Sequence, residues 1–164
     1  DDKQRKTVID LIDTQIRIYP VGRLDYDTTG ILLLTNDGVL ANALMHPKNN
    51  IDKVYVAKIK GRIGKEQIKS LQMGVMIDGK QTSKAKARIK KYDKKTDTSI
   101  VELTIHEGKN HQVKKMFEAI GFPVLKLKRE QISFLDLTGL KSGEYRTLSP
   151  KEVKKLYFEV QKEK

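Results

Sequence analysis

Ten residues, Val21-Gly22-Arg23-Leu24-Asp25-Tyr26-Asp27-Thr28-Thr29-Gly30, place an arginine, two carboxylates and two threonines between glycines, immediately before the apolar run Ile31-Leu32-Leu33-Leu34. Polar loops fixed by a rigid element are where reactive side chains tend to sit. A carboxylate at Asp25 or Asp27 can serve as nucleophile or general base, and Arg23 can hold a phosphate. The same residues can also form an Asx or threonine turn that only orders the entry to a strand. Asp25-x-Asp27-x-Thr29 has the spacing of metal-dependent phosphatases that form an aspartyl-phosphate. That chemistry needs the motif directly after a hydrophobic strand and further acidic residues for magnesium. Here Gly22-Arg23 intervenes and no downstream acidic pair is suited.

The rest of the composition narrows the partner. Thirty-three Lys and Arg against 21 Asp and Glu leave a formal net charge of +12 over 164 residues. The basic residues gather at Lys84, Lys86, Arg88, Lys90 and Lys91, at Lys109, Lys114 and Lys115, and at Lys126, Lys128 and Arg129. Clusters of this kind favour a polyanion over simple solvation of the surface. With few aromatics and no tryptophan, recognition through phosphates and shape is expected rather than a broad base-stacking platform. There is no cysteine, so disulfides and thiolate metal sites are excluded and a reducing cytoplasm is the expected compartment. His46, His106 and His111 are scattered without ligand spacing, so no metal is expected. No stretch approaches the roughly 20 apolar residues of a membrane span. The charged start, Asp1 to Lys6, has no signal-peptide core and reads as a linker or a cut from something longer.

The elements that must position these residues follow from periodicity. Val8, Leu11 and Ile12 predict a short helix over Thr7 to Asp13, and Ile31 to Leu34 a strand closed by a turn at Asn36-Asp37-Gly38. A helix from Val39 to His46 is stopped by Pro47, and Asp52 to Lys60 alternates as a strand. Gly64 to Gln72 predicts a helix ended by Gly74, and Lys84 to Tyr92 an edge strand with a basic face. Ser99 to Ile105 has one polar and one apolar face, while Val113, Met116, Phe117 and Ile120 make one stripe of a helix over Asn110 to Ile120, capped by Gly121. Val124 to Leu137 is strand-like. Ser149-Pro150-Lys151-Glu152 is a capping box with proline at the first helical position, opening a last helix to Val160. A run of strands broken by irregularly spaced helices predicts an α+β domain rather than a βαβ repeat.

The stretch Gly22 to Gly38 closely resembles the first motif of the bacterial small-ribosomal-subunit-type pseudouridine synthases. The resemblance continues through Lys53-Val54-Tyr55-Val56-Ala57-Lys58, Glu107 to Phe117, Leu125 to Glu130 and Gly143 to Leu148, and so covers nearly the whole chain. It implies a mixed, largely antiparallel sheet flanked by helices, with a central catalytic cleft. It also implies isomerisation of a uridine to pseudouridine in ribosomal RNA without metal or cofactor. Large-subunit RNA near the peptidyl-transferase centre is favoured. Small-subunit RNA stays as an alternative because of His111-Gln112-Val113-Lys114, and a non-catalytic rRNA-binding module is the third reading. Asp25 matches the family's catalytic aspartate, Tyr55 the tyrosine that stacks on the target base, and Lys114 the basic position that pairs with the aspartate. Arg23 is expected to hold a phosphate or fill the gap left by the extruded base. Lys109, Asn110, His111, Lys115, Lys128 and Arg129 are expected to contact RNA. Family members usually carry an N-terminal S4 RNA-binding domain. Residues 1–164 are expected to be the catalytic domain without it, acting as a monomer.

Overall fold

A computed structural model describes residues 17–109 and 111–161. The helix expected over Thr7 to Asp13 lies outside them. In chain order the elements are β1 (Tyr19–Pro20), β2 (Thr28–Gly30), β3 (Leu34–Thr35), α1 (Gly38–Met45), β4 (Lys53–Lys60), α2 (Lys65–Met73), β5 (Met76–Ile77), β6 (Lys80–Gln81), β7 (Lys86–Asp93), β8 (Thr98–Ile105), α3 (Gln112–Ala119), β9 (Val124–Ile132), β10 (Leu135–Asp136) and α4 (Pro150–Gln161). The main sheet runs β10-β9-β4-β8-β7, and β2 joins it on β9. Every pairing in it is antiparallel except that of β2 with β9, which is parallel. The α+β class is therefore as the periodicity predicts, and the largely antiparallel sheet is as the resemblance implies.

Alternation along the long strands divides the sheet into two unlike faces. Tyr55, Ala57 and Ile59 of β4 stand opposite Leu103, Val101 and Ser99 of β8, and Tyr55 and Ala57 stand opposite Arg129 and Leu127 of β9. This face is covered by α2 and α3, whose Ile68, Leu71, Val113, Met116 and Phe117 close a core in which Ala57, Ile59, Val101 and Leu103 are fully buried. The intervening residues Val54, Val56, Lys58, Ile100, Glu102 and Thr104 face the other way, and none of these six is buried. A second core joins α1 and α4 to the end of the sheet through Leu40, Leu44, Ile132, Leu135, Leu156 and Val160.

Three expectations need correction. Ile31 to Leu34 is not one strand: the ladder is Thr28–Gly30, and Leu34–Thr35 forms a separate pair with Tyr19–Pro20. Gly30 has φ +120°, which turns the chain out of the β9 ladder after three residues. The Asn36-Asp37-Gly38 turn is instead a helix start, because Asp37 accepts the Val39 and Leu40 amides and caps α1. The strand expected over Val124 to Leu137 is broken at Ser133, where φ is 54°, into the β9–β10 hairpin. The capping box at α4 forms in full: Ser149 N–H donates to Glu152 Oε1 at 2.9 Å and Glu152 N–H to Ser149 Oγ at 3.1 Å. Among the described residues no helix is long and apolar enough to cross a membrane.

Candidate active site

The loop that bears Asp25 is held by its turn and by its exit strand. Thr28 N–H donates to the Asp25 carbonyl at 2.9 Å, which fixes the turn directly before β2. At the exit, Ile31 N–H donates to the Arg129 carbonyl at 2.8 Å, and the Arg129 guanidinium donates back to the Ile31 carbonyl at 3.0 and 2.8 Å. A Cβ on Gly30 would overlap the Arg129 carbonyl oxygen, so only glycine lets β2 lie this close to β9. Arg129 is 6% exposed. Expected on an RNA-facing surface, it is instead a buried clamp on the Asp25 loop, its guanidinium committed to backbone as burial requires.

The N-terminus of α3 supplies the partners of the carboxylates. His111 Nδ1 lies 3.0 Å from Asp25 Oδ2, and Lys114 Nζ lies 4.0 Å from the same oxygen. Lys114 also donates to Asp27 Oδ1. That hydrogen bond from Lys114 is the main reason the Asp27 carboxyl is held below the ordinary carboxylate range. His111 occupies the left-handed region at φ 52°, an uncommon conformation for a side chain with a Cβ and one found where a site constrains the backbone. Lys115, the next residue, turns away and pairs with Asp78 in the β5–β6 turn at 2.5 Å.

The segment preceding α3 is braced by residues that the sequence reading did not single out. Gln112, 3% exposed, donates to Glu107 Oε1 at 2.9 Å and accepts the Lys109 amide at 3.2 Å. Glu107 also accepts the Ser83 amide at 2.9 Å. Partial burial pushes the Glu107 carboxyl up, but the Ser83 and Gln112 donors and the charge of Lys109 together outweigh it and hold it below the ordinary range. Lys53 donates to the Glu107 carbonyl at 3.3 Å, and burial first, then the charge of Arg129, holds its ammonium below the usual lysine value. Regular side-chain alternation in the Lys53 motif was the available signal: it places Lys53 on the same face as Tyr55.

The expected site residues thus separate into groups. Asp25, His111 and Lys114 meet, with Asp27 added. Tyr55 is half-buried on the helix-covered face, directly opposite Arg129. Arg23 and Lys109 are exposed, Lys109 lying 3.6 Å from Glu107 Oε2. Lys128 is exposed on the opposite face of the sheet from Tyr55, where it stands across from Val56. Asn110 lies outside the described residues. Among the described residues no group of three or more His, Asp or Glu side chains could hold a metal ion.

A carboxylate bracketed by a histidine and a lysine at a helix start thus lies on a loop stitched parallel to a largely antiparallel sheet. Residues 1–119 match the family described as RNA pseudouridylate synthase, and the chain belongs to that family. It is 57% identical over 157 residues to the ribosomal large subunit pseudouridine synthase B of Bacillus subtilis (strain 168), a match covering 95% of this chain and 64% of that protein. It is 39% identical to an uncharacterized RNA pseudouridine synthase of Aquifex aeolicus (strain VF5), over 93% of this chain and 61% of the relative. A solved pseudouridylate synthase superposes with a TM-score of 0.83 at 35% identity, covering 92% of this chain and 65% of that one. The chain therefore spans a little under two thirds of the length of these relatives.

Proposed function

We propose that this domain converts a uridine of ribosomal RNA into pseudouridine, with Asp25 as the essential carboxylate and large-subunit RNA as the substrate. The observation that carries the reading is the Asp25 carboxylate set 3.0 Å from His111 and 4.0 Å from Lys114, at the junction of two segments distant in sequence. The reaction breaks the N1–C1′ glycosidic bond, turns the uracil and joins C5 to C1′. Attack of a carboxylate on the sugar and removal of a sugar proton by it both require one well-placed carboxylate oxygen. The two basic groups on Asp25 Oδ2 hold that oxygen in place. Tyr55 offers an aromatic face to a base that must leave its stack, an extrusion costing a few kcal/mol. Arg23 and Lys109, both exposed, are available to flanking phosphates.

The large-subunit assignment draws on the Bacillus subtilis relative, whose name carries that substrate. A ribosomal RNA substrate in turn supports a cytoplasmic location. The test is release of tritium from C5-tritiated uridine in protein-free large- and small-subunit RNA, with wild type and Asp25→Asn. Release from large-subunit RNA alone, abolished in the folded Asn variant that still binds RNA, is the expected result. Turnover by Asp25→Asn would overturn the role of Asp25, and release from small-subunit RNA alone would overturn the substrate.

A further inference from the structure

The face of the sheet turned away from α2 and α3 has a composition that the active site does not use. Cross-strand register places Lys91, Ile100, Lys58 and Lys126 in one row over β7, β8, β4 and β9. The adjoining row is Arg88, Glu102, Val56 and Lys128, and Lys86 stands opposite Thr104 in the next. The basic side chains at 86, 88, 91, 126 and 128 are exposed and Lys58 is half-buried, and no described helix lies over them. Glu102 is the acidic residue inside this array, and Arg88 at 2.9 Å and Lys90 at 3.9 Å already engage it. Glu130 and Asp136 lie toward the β10 end, where they line a groove with Lys128.

Directly opposed like charges destabilise an antiparallel pair, and Lys58 faces Lys126 across β4 and β9. Among the described residues the fold therefore presents a self-repelling basic lattice on a sheet face with no helix over it, which a polyanion would relieve. The Lys91-to-Lys126 row crosses three strand spacings, roughly 14 Å, a distance over which a duplex backbone presents several phosphates. The geometry points to a second RNA-binding surface here, on the face opposite Tyr55, that grips the phosphate backbone of a ribosomal RNA helix outside the one holding the target uridine. It rests on the proposed function only for the identity of the RNA.

The test compares Lys58→Gln/Lys91→Gln/Lys126→Gln with the unaltered chain. Both are placed in an Asp25→Asn background, so that binding is read apart from turnover. The probes are a long large-subunit RNA fragment and, as the competing anionic partner, a polyglutamate peptide. The surface predicts about tenfold weaker RNA binding near 100 mM salt. It also predicts a log–log salt slope shallower by about 2 to 3, at roughly 0.9 for each phosphate that is no longer neutralised. With Asp25 restored, the single-turnover rate at saturating RNA is unchanged, and thermal stability is equal or higher because repulsion is relieved. Unaltered RNA affinity and slope overturn the proposal, as does weakened binding to polyglutamate alone. If the triple variant does not fold, Lys126→Glu, at an exposed position, must itself weaken RNA binding at least threefold. Loss of RNA affinity together with no pseudouridine in any RNA would retain this surface and remove only the catalytic reading.

Discussion

Lys114 and Lys115 are adjacent and chemically identical, yet only one reaches the carboxylates. Successive residues on a helix point about 100° apart, which sends Lys114 to Asp25 and Asp27 and Lys115 to Asp78. Lys114→Met is expected to lower single-turnover tritium release about a hundredfold, the scale of losing precise placement of a reacting group. Lys115→Met removes an exposed pair and changes stability by less than about 1 kcal/mol, with turnover near wild type. Equal losses from the two substitutions would remove the distinction. The approach of Lys114 to Asp25 was legible because a long motif carries each of them. His111 was expected on RNA, and its approach to Asp25 was hidden because it depends on packing α3 against a loop far away in sequence. Arg129 was misplaced for a related reason: its charge suggested the surface, and only the parallel β2–β9 ladder shows that its guanidinium is consumed by the Ile31 carbonyl.

Among the elements, those specified by short-range chemistry were the readable ones. The Ser149–Glu152 box opens α4 at the predicted residue, and the alternation of Thr98–Ile105 gives β8 its buried and half-buried faces in turn. The three-residue β2 was not legible, since Thr28-Thr29-Gly30 has no apolar alternation and owes its strand geometry to β9. The α4 cap has a definite acid signature. Hydrogen bonds from Arg146, at 2.8 Å to each carboxylate oxygen, and then from the Ser149 amide hold the Glu152 carboxyl down from 4.5 to about 2. A carboxyl whose folded value lies below its unfolded one contributes stability that is complete above the unfolded value and is lost as pH falls through the folded one. The cap contribution is therefore present above about pH 4.5 and disappears toward pH 2. Carboxyl 13C shifts should show Glu152 titrating near 2, and Arg146→Ala should move that midpoint upward. A midpoint at the ordinary glutamate value in the intact protein would mean that the Arg146–Glu152 pair does not form in solution.

At the scale of the whole molecule, two cores share one strand. Leu127 belongs to the core under α2 and α3, Ile132 to the core under α1 and α4, and both lie on the uninterrupted β9. The candidate site lies beside this junction: Ile31 packs in the second core while its backbone is clamped to Arg129, and Lys114 rides on a helix anchored in the first. Since β9 cannot leave one core without stripping the other, the two should unfold together. Leu156, 2% exposed on α4, tests this. Leu156→Ala removes a fully buried side chain and should cost about 2–5 kcal/mol. If the cores are coupled, native-state hydrogen exchange of the Val101 and Leu103 amides, on β8 and in the other core, will accelerate by the full factor that this loss implies. If the fold instead opens in separate units, acceleration will stop at α1, α4 and β10. In that case the Asp25 loop, with Ile31 in the weaker unit, would be released from Lys114 before the main sheet opens, and turnover would fail at a lower temperature than the β8 amides lose protection. A single shared temperature for both events is what the continuity of β9 predicts.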